Sequence, residues 1–402
     1  MRYCGHEKIF VTTTFRLCDN NGYTTTQIRK FFASNGFDVV SAAETADWIV
    51  ISTCGFDQER ENVSLAIVSD YLREYSEKKR IIICGCLPKI SDERFGGAHV
   101  FTIGPKELYK FNDLFSPRTP IEEVSGGHLD ERFISKEYGL LDAYYLQICQ
   151  GCVNSCSYCA IKKAKGYVTS RPLDKLMREL NQAVECGYNR VMLLADDCGS
   201  YGADLGIDFA DLLRQVRGYN VRVSINYIEP GKCRQLYVQY GLDIFDNIDF
   251  INIPIQSTSG RLLQLMDRHY DAADVMRMVR ELKARSSRTF FETHIIYGFP
   301  SETPEEFEDT FRALESFDSV IYFYYTDRRG AKASLLQPKI SDSEMIRRTQ
   351  RILSHPKFSV GQDGTSLPCV LLGYELQEGR EIFKSLARSR LGNKSEFVIL
   401  GQ

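Results

Sequence analysis

No stretch of the 402-residue chain approaches about eighteen uninterrupted apolar residues, which argues against a membrane-spanning helix. The opening segment, MRYCGHEKIFVTTTF, has no long apolar run either, so it does not read as a secretion signal. The expected compartment is therefore the cytoplasm, with no membrane partner. An excess of charge of one sign is also missing: 50 Lys and Arg stand against 53 Asp and Glu, a net charge of −3. The surface as a whole does not attract phosphate backbones, so any nucleic-acid site must be local. Neither an internal repeat nor a low-complexity tract is found.

What is present is an ordinary globular composition, 43% hydrophobic and 26% charged, long enough for two to four domains. From residue 8 to about 112, apolar runs (KIFVTTTF, DWIVIST, RIIICG, HVFTIG) alternate with helical stretches. This predicts a small parallel α/β sheet. Residues 113–142 carry prolines, a Gly-Gly pair and mixed charge without lasting periodicity, and read as a linker with room for a hairpin. From 143 to 335, AYYLQIC, RVMLLA, VRVSI, FINIPI, FFETHII and SVIYFYY alternate with helical segments, six βα units that predict a partial barrel. Residues 336–402 form a C-terminal extension with a helical run, SDSEMIRRTQRILS, a glycine-containing stretch, a basic helix candidate, GREIFKSLARSR, and a short EFVIL strand. The predicted domains are thus 1–112, a linker 113–142, a barrel 143–335 and the extension 336–402.

Thirteen cysteines in a reducing compartment point to metal ligation or catalysis rather than disulfides. Directly after the first barrel strand, Cys152, Cys156 and Cys159 stand as C-x3-C-x2-C. Three thiolates from one loop hold three irons of a [4Fe–4S] cluster and leave the fourth open. The alternative is a zinc loop, but no fourth Cys or His lies nearby at zinc-finger spacing. Cys149, at the end of the strand, reads as a small core residue. In the N-terminal domain Cys18, Cys54 and Cys86 each follow an apolar strand run. Carboxyl ends of neighbouring parallel strands share the crevice where open α/β sheets hold ligands, which suits a second cluster; buried cysteine is the plainer alternative.

The triplet after the first strand of a six-unit barrel resembles the radical S-adenosylmethionine superfamily. The N-terminal motifs narrow the resemblance to the methylthiotransferases. The matches run from about 8 to 335: Cys18 with Asn21, Cys54 in S-T-C-G-F, Gly85-Cys86-Leu87, Lys165-Gly166 and Ser170-Arg171-Pro172 after the triplet, then DDCGSYGADLG, NIPIQSTSGRLLQLMDRHY, IIYGFPSETPEEFEDT and YTDRRGAKA. The resemblance implies two [4Fe–4S] clusters. Cys152, Cys156 and Cys159 would bind the one that cleaves S-adenosylmethionine to a 5′-deoxyadenosyl radical. Cys18, Cys54 and Cys86 would bind an auxiliary cluster that supplies sulfur, and a second S-adenosylmethionine would supply the methyl group. A reducing protein such as flavodoxin or ferredoxin would donate electrons. The product would carry C–S–CH3 where C–H had been.

Three cofactor-binding candidates follow from position: Asp197 at the end of strand two beside Asp196, Gln256 at the end of strand four, and Gly298 in IIYGFP, which permits close approach to a cofactor or simply a tight turn before Pro300. The aromatic segment 322–330 with Arg328 and Arg329 is suited to stacking a base or clasping a carboxylate. Lys162, Lys163 and Lys165 read as a solvated face or a phosphate contact. His269 and His294 read as structural.

The sequence departs from the family in three places. Lys162 stands where a proline is common, and Ser301 where G-F-P-G-E-T is usual. Residues 355–402 are too few and too helical for the small β-barrel substrate-binding domain that ends classical members. A near-neutral chain without that domain fits a peptide or protein side chain as substrate better than tRNA. Methylthiolation of a tRNA adenosine, or sulfur insertion without methyl transfer, are the alternatives.

Overall fold

Six consecutive residues, Trp48–Thr53, are buried along their whole length, and their alternate side chains enter two separate cores. Trp48 and Val50 join Ile9, Val11, Ile82 and Cys84 on one face, while Ile49 and Ile51 join Ile81 and Ile83 on the other. A central parallel strand covered on both faces reads as such a continuous apolar run. The computed structural model describes residues 7–91, 95–134, 142–354 and 369–372. They divide into two units, 1–153 with 160–223 and 154–159 with 224–402.

In the first unit, β1 (Lys8–Thr13), β2 (Asp38–Val40), β3 (Trp48–Thr53), β4 (Arg80–Gly85) and β5 (Val100–Ile103) form a parallel sheet in the order β2-β1-β3-β4-β5. Helix Asp19–Ser34 covers one face with Ile28, Phe31 and Phe32, and helix Gln58–Tyr75 covers the other with Val68 and Tyr75. The chain leaves β1 for one edge and returns to the opposite side as β3. The strand order therefore reverses between β1 and β3, the place where doubly wound sheets bind ligands. The short edge strand β2 was not legible as a run, because only three residues pair.

Four more strands of this unit are β6 (Tyr144–Gln147), β7 (Cys149–Gln150), β8 (Thr169–Ser170) and β9 (Arg190–Leu194). β6 and β9 pair in parallel, and β7 and β8 form a small antiparallel clasp that closes the base of the loop between them. No strand lies among the described residues of 116–134. That segment is strapped to the first helix, with Gln27 donating to the carbonyls of Ile121 (3.1 Å) and Val124 (2.9 Å) and Asn35 accepting from the Arg118 and Thr119 amides.

The chain passes into the second unit within β10 (Arg222–Asn226). There β11 (Ile248–Asn252), β12 (Phe290–Tyr297), β13 (Ser319–Tyr324) and β14 (Cys369–Leu372) follow in the sheet order β10-β11-β12-β13-β14, with helices Pro230–Tyr240, Ala272–Arg285 and Pro304–Arg312 between strands. All six strand runs expected between 143 and 335 are present as β6 and β9–β13. β14 is additional and comes from the glycine-containing stretch of the extension, a short apolar run flanked by Pro368 and Gly373. The helix expected over SDSEMIRRTQRILS is found at Asp342–Leu353. It is anchored by Arg348, which is buried and ion-paired to the buried Glu302, and by Thr349, whose hydroxyl lies 3.1 Å from that of Tyr297. The GREIFKSLARSR helix and EFVIL strand lie outside the described residues. Among the described residues no helix is long and apolar enough to cross a membrane.

Phe32 sits among Phe31, Phe37, Phe111 and Phe115, its ring centroid 4.9 Å from that of Phe115. Phe115 in turn packs 4.7 Å from the chain's one tryptophan, Trp48. Phe32→Ala should cost about 3–5 kcal/mol. Denaturant unfolding followed by Trp48 fluorescence checks this, and a loss below about 1 kcal/mol contradicts the packing described.

Candidate functional site

The carboxyl ends of β1, β3 and β4 carry the three N-terminal cysteines. Cys54 is the first residue after β3, and Cys86 follows β4 and precedes helix Leu87–Ile90. Cys18 is set off from β1 by a short loop and stands at the N-terminus of helix Asp19–Ser34. Gly85, at φ +97°, makes the exit from β4 possible, because a Cβ there would collide with the Thr53 carbonyl.

The thiols of Cys18 and Cys54 are hydrogen-bonded, and that bond, assisted by the Lys165 charge and the Asn21 amide, brings the half-buried Cys18 down to about 6. The same bond and burial push Cys54 well above the ordinary thiol range, with Cys86 adding to the rise. The sequence-predicted trio is thus brought together, with the first thiolate forming on Cys18. Among the described residues no three His, Cys, Asp or Glu side chains stand close enough to hold one metal ion.

Lys165 was read as a surface residue; it is only 7% exposed. Its ammonium bonds Asp196 at 2.6 Å. Burial opposes its charge, but Asp196, then Cys86 and Cys18, outweigh the burial and raise it. The second carboxylate oxygen of Asp196 accepts the Gly151 amide at 2.8 Å. One buried ion pair therefore joins the thiol cradle to the residue preceding Cys152. The other two lysines stay at the surface as expected: Lys162 donates to the Cys152 carbonyl and lies 5.6 Å from the Tyr167 ring, and the exposed Lys163 donates to the Ile90 carbonyl at 3.0 Å.

The triplet loop passes from one unit to the other and back, so each cysteine is described within its own unit. In the first unit, Cys152 Sγ lies 3.7 Å from Asp197 Oδ2 and 3.7 Å from Ser200 Oγ. Asp197 also accepts from the Gly199 amide (3.0 Å) and the Ser200 hydroxyl (2.6 Å), capping the turn Cys198–Ser200. It is therefore both a cap and a neighbour of the first cysteine of the triplet. Cys149 is buried, as expected for a core residue, and burial drives its thiol upward.

In the second unit Ser157 fixes the loop between Cys156 and Cys159. Its amide donates to the Met266 carbonyl (3.0 Å), its hydroxyl to the Leu265 carbonyl (2.7 Å), and its carbonyl accepts the Ala333 amide (2.9 Å). Arg268 was quoted in the M-D-R-H-Y match but given no role. It is buried, donates to Cys156 Sγ at 3.5 Å and to the Pro254 carbonyl at 3.0 Å, and lies 3.6 Å from Glu229. A lone arginine in a motif gives no sign of which sulfur it will meet; the contact depends on how the loop folds.

Gln256 is 8% exposed, adopts φ +57° and leaves its Oε1 buried without a protein partner. Its backbone is fixed by the His294 carbonyl (2.8 Å) and the Ile296 amide (3.0 Å). A strained non-glycine residue with an orphaned acceptor is the arrangement a bound polar group completes. Gly298, at φ +76°, faces the Met345 thioether, which a Cβ would strike, and its amide donates to Glu302 at 2.7 Å. Its freedom therefore serves the turn and the docked helix.

His294 is buried between Tyr227 and Phe323, 2.8 Å from the Asn252 amide nitrogen, and burial lowers it to about 3. His269 is exposed beside Asp267. Of the two arginines singled out, Arg328 is buried and Arg329 exposed, so the pair does not form one surface clasp. An unfolded His takes up its proton near 6.5, whereas folded His294 stays neutral until about 3. Stability should therefore fall as pH drops across that window, by up to about 1.4 kcal/mol per pH unit. His294→Gln should flatten this acid limb in denaturant titrations; an unchanged slope removes His294 from the account.

Comparison with known proteins follows the same division of the chain. The radical SAM superfamily profile matches residues 146–314, and the profile described as uncharacterized protein family UPF0004 matches 9–101. The chain is 29% identical over 369 residues to a tRNA-2-methylthio-N(6)-dimethylallyladenosine synthase of Caldicellulosiruptor saccharolyticus, covering 87% of this chain and 78% of the relative. It is 28% identical over 366 residues to the ribosomal protein uS12 methylthiotransferase of Syntrophomonas wolfei, covering 84% and 80%. A radical S-adenosylmethionine methyltransferase from Kitasatospora setae, solved with cobalamin and a [4Fe–4S] cluster, shares the fold at TM-score 0.54 and 12% identity, over 88% of this chain and 76% of that one. Members of the family to which both profiles and both relatives point transfer sulfur or a methylthio group with S-adenosylmethionine and two [4Fe–4S] clusters. With the cysteine cradle at the β1/β3 switch point and the triplet loop after β6, the chain belongs to the radical S-adenosylmethionine methylthiotransferases.

Proposed function

We propose that this enzyme methylthiolates an adenosine of tRNA. The sequence alone ranks a peptide or protein side chain first; the relatives' names favour the tRNA alternative, while the ribosomal-protein relative keeps a protein side chain as the second reading. We assign residues 1–112 to the auxiliary-cluster domain, 113–142 to a linker, 143–335 to the radical barrel and 336–402 to an extension. Cys152, Cys156 and Cys159 hold the radical cluster, and Cys18, Cys54 and Cys86 the auxiliary one. Gln256 and Asp197 serve the S-adenosylmethionine side of the site, and the Gly298 turn supports it. A small flavodoxin- or ferredoxin-type protein is the electron donor.

When bound, the clusters and S-adenosylmethionine supply a 5′-deoxyadenosyl radical to take the hydrogen and a sulfur that is methylated. The chain's own residues set the charge and geometry around them. The observation that carries the reading is the pairing of two three-cysteine sets with buried cations: Lys165, with Arg60 near Cys54, for the auxiliary set and Arg268 for the radical set. A buried positive charge favours the more negative, reduced form of a neighbouring redox group.

Replacing Cys152, Cys156 and Cys159 by Ala should abolish 5′-deoxyadenosine formation in reconstituted protein. Replacing Cys18, Cys54 and Cys86 should leave cleavage partly intact and stop sulfur transfer to tRNA, read by mass spectrometry of digested nucleosides. Equal loss of cleavage in both variants defeats the assignment, and methylthio product on a ribosomal peptide but not on tRNA moves the substrate to the second reading. In a redox titration of the loaded protein, Arg268→Met should move the radical cluster to a more negative potential and Lys165→Met the auxiliary one, with Lys and Arg, respectively, restoring most of each shift. No shift in either variant makes these cations structural only.

A further inference from the structure

Beside the thiol cradle, the rim of the first unit carries a concentration of positive charge that the near-neutral composition conceals. Lys89 lies in the short helix that follows Cys86, Lys106 and Lys110 follow β5, and Lys162 and Lys163 lie in the helix after the triplet. The five are joined by recorded contacts. Lys89 and Lys110 share Glu107 at 2.8 and 3.2 Å. Lys163 reaches the carbonyl of Ile90, next to Lys89, at 3.0 Å. Lys106 donates to the Tyr167 carbonyl and to Thr169 Oγ1 at 2.8 Å, and Lys162 stands 5.6 Å from the Tyr167 ring.

Lys106, Lys162 and Lys163 are held by carbonyl and hydroxyl oxygens, which leave their charge uncancelled. Among the described residues the carboxylates acting on these lysines are Glu107, Asp204 and Asp196, the last already paired with Lys165. Among the described residues, five lysines against the two acids that Lys165 does not take up give a local excess of positive charge on a chain whose net charge is −3. Two aromatic side chains stand out of the same surface, Tyr109 at 52% and Tyr167 at 56% exposure. Large aromatics exposed to that degree are uncommon, and here both are flanked by lysine.

Positive side chains that track a backbone, interleaved with exposed rings on which bases stack, are the physical requirements for binding unpaired nucleic acid. An acidic peptide would use the lysines but, unlike RNA, does not present a planar base at every unit for the rings. We propose that Lys106, Lys110, Lys162 and Lys163, with Tyr109 and Tyr167, form a docking surface for an RNA loop, phosphates on the lysines and bases on the tyrosines. The surface lies along the same sheet edge as Cys86, so an RNA held there is delivered beside the auxiliary thiols. This rests on the tRNA reading and names the part of the chain that would hold the RNA.

The test is equilibrium binding of an anticodon stem-loop RNA to the full-length reconstituted protein over a range of salt, comparing wild type with Lys106→Ala/Lys110→Ala/Tyr167→Ala. None of the three residues has been placed in the cluster or S-adenosylmethionine machinery, so 5′-deoxyadenosine formation serves as the folding control. The triple variant should bind at least tenfold more weakly, and the slope of log Kd against log salt should fall by roughly 0.7 for each lysine removed. Wild-type binding that the triple variant retains overturns the surface and leaves the tRNA reading standing. Absence of RNA binding by a wild-type protein that cleaves S-adenosylmethionine overturns both. Displacement of the RNA by polyglutamate as readily as by an unlabelled RNA of equal charge also overturns the surface, in favour of an acidic peptide.

Discussion

A single half-buried carboxylate, Asp196, holds together the parts of the site that lie in the first unit. One oxygen takes the Lys165 ammonium at 2.6 Å and the other takes the Gly151 amide at 2.8 Å. Gly151 can offer that amide because its φ of +82° brings the chain against the Lys165 and Tyr167 carbonyls, where a side chain would collide. The lysine in turn faces Cys18 and Cys86. Loss of either partner would leave an uncompensated charge in a buried place, a change that costs several kcal/mol. The pair is therefore a constraint on geometry at least as much as a source of stability, because a well-packed apolar pair would be equally stable but would not orient the loop before Cys152.

The two cysteine sets differ in how charge is arranged around them. At the N-terminal set, the Cys54 thiol and a helix N-terminus stabilise one thiolate, on Cys18, before any metal arrives, while Cys54 itself is held protonated. At the triplet, the recorded partners divide by sign. Cys156 has the Arg268 guanidinium, and Cys152 has Asp197 and Ser200. Asp197 comes from just beyond the carboxyl end of β9, where barrel chemistry is normally built, whereas Arg268 comes from beyond the helix Gly260–Leu265 that follows β11.

The strands were legible because they obey local rules. DWIVIST is apolar on both faces and can only be a covered strand, and the six runs from AYYLQIC to SVIYFYY alternate with helical periods. The cysteines were legible because spacing alone brings them to strand ends. What escaped were features that depend on three-dimensional neighbours. Lys165 looks identical in sequence to Lys162 and Lys163, and only the packing of the Ile161–Lys165 helix decides that one ammonium turns inward and the others do not. Arg268 gave no sign of reaching a sulfur more than a hundred residues earlier in the chain. β2 and β14 are too short, and too close to glycine or proline, to announce themselves.

The two point departures from the family pattern have physical readings of their own. Ser301 occupies a position with φ +67°, which explains why glycine is usual there. The serine is retained in that strained conformation by Arg261, which donates to its hydroxyl at 3.0 Å and to its carbonyl at 2.8 Å, and by its amide bond to the Pro338 carbonyl at 2.8 Å. Arg261 is itself paired with Glu306 at 2.6 Å, so the substitution is carried by a ready-made clamp rather than by a change in the turn. Lys162 stands in the first turn of its helix, where proline is tolerated because the amide has no intrahelical acceptor. Exchanging proline for lysine there leaves the turn unchanged and adds a cation that reaches the Cys152 carbonyl and covers the exposed Tyr167 ring. The first departure preserves a backbone path at the exit of β12, and the second adds positive charge to a surface that composition alone shows as neutral.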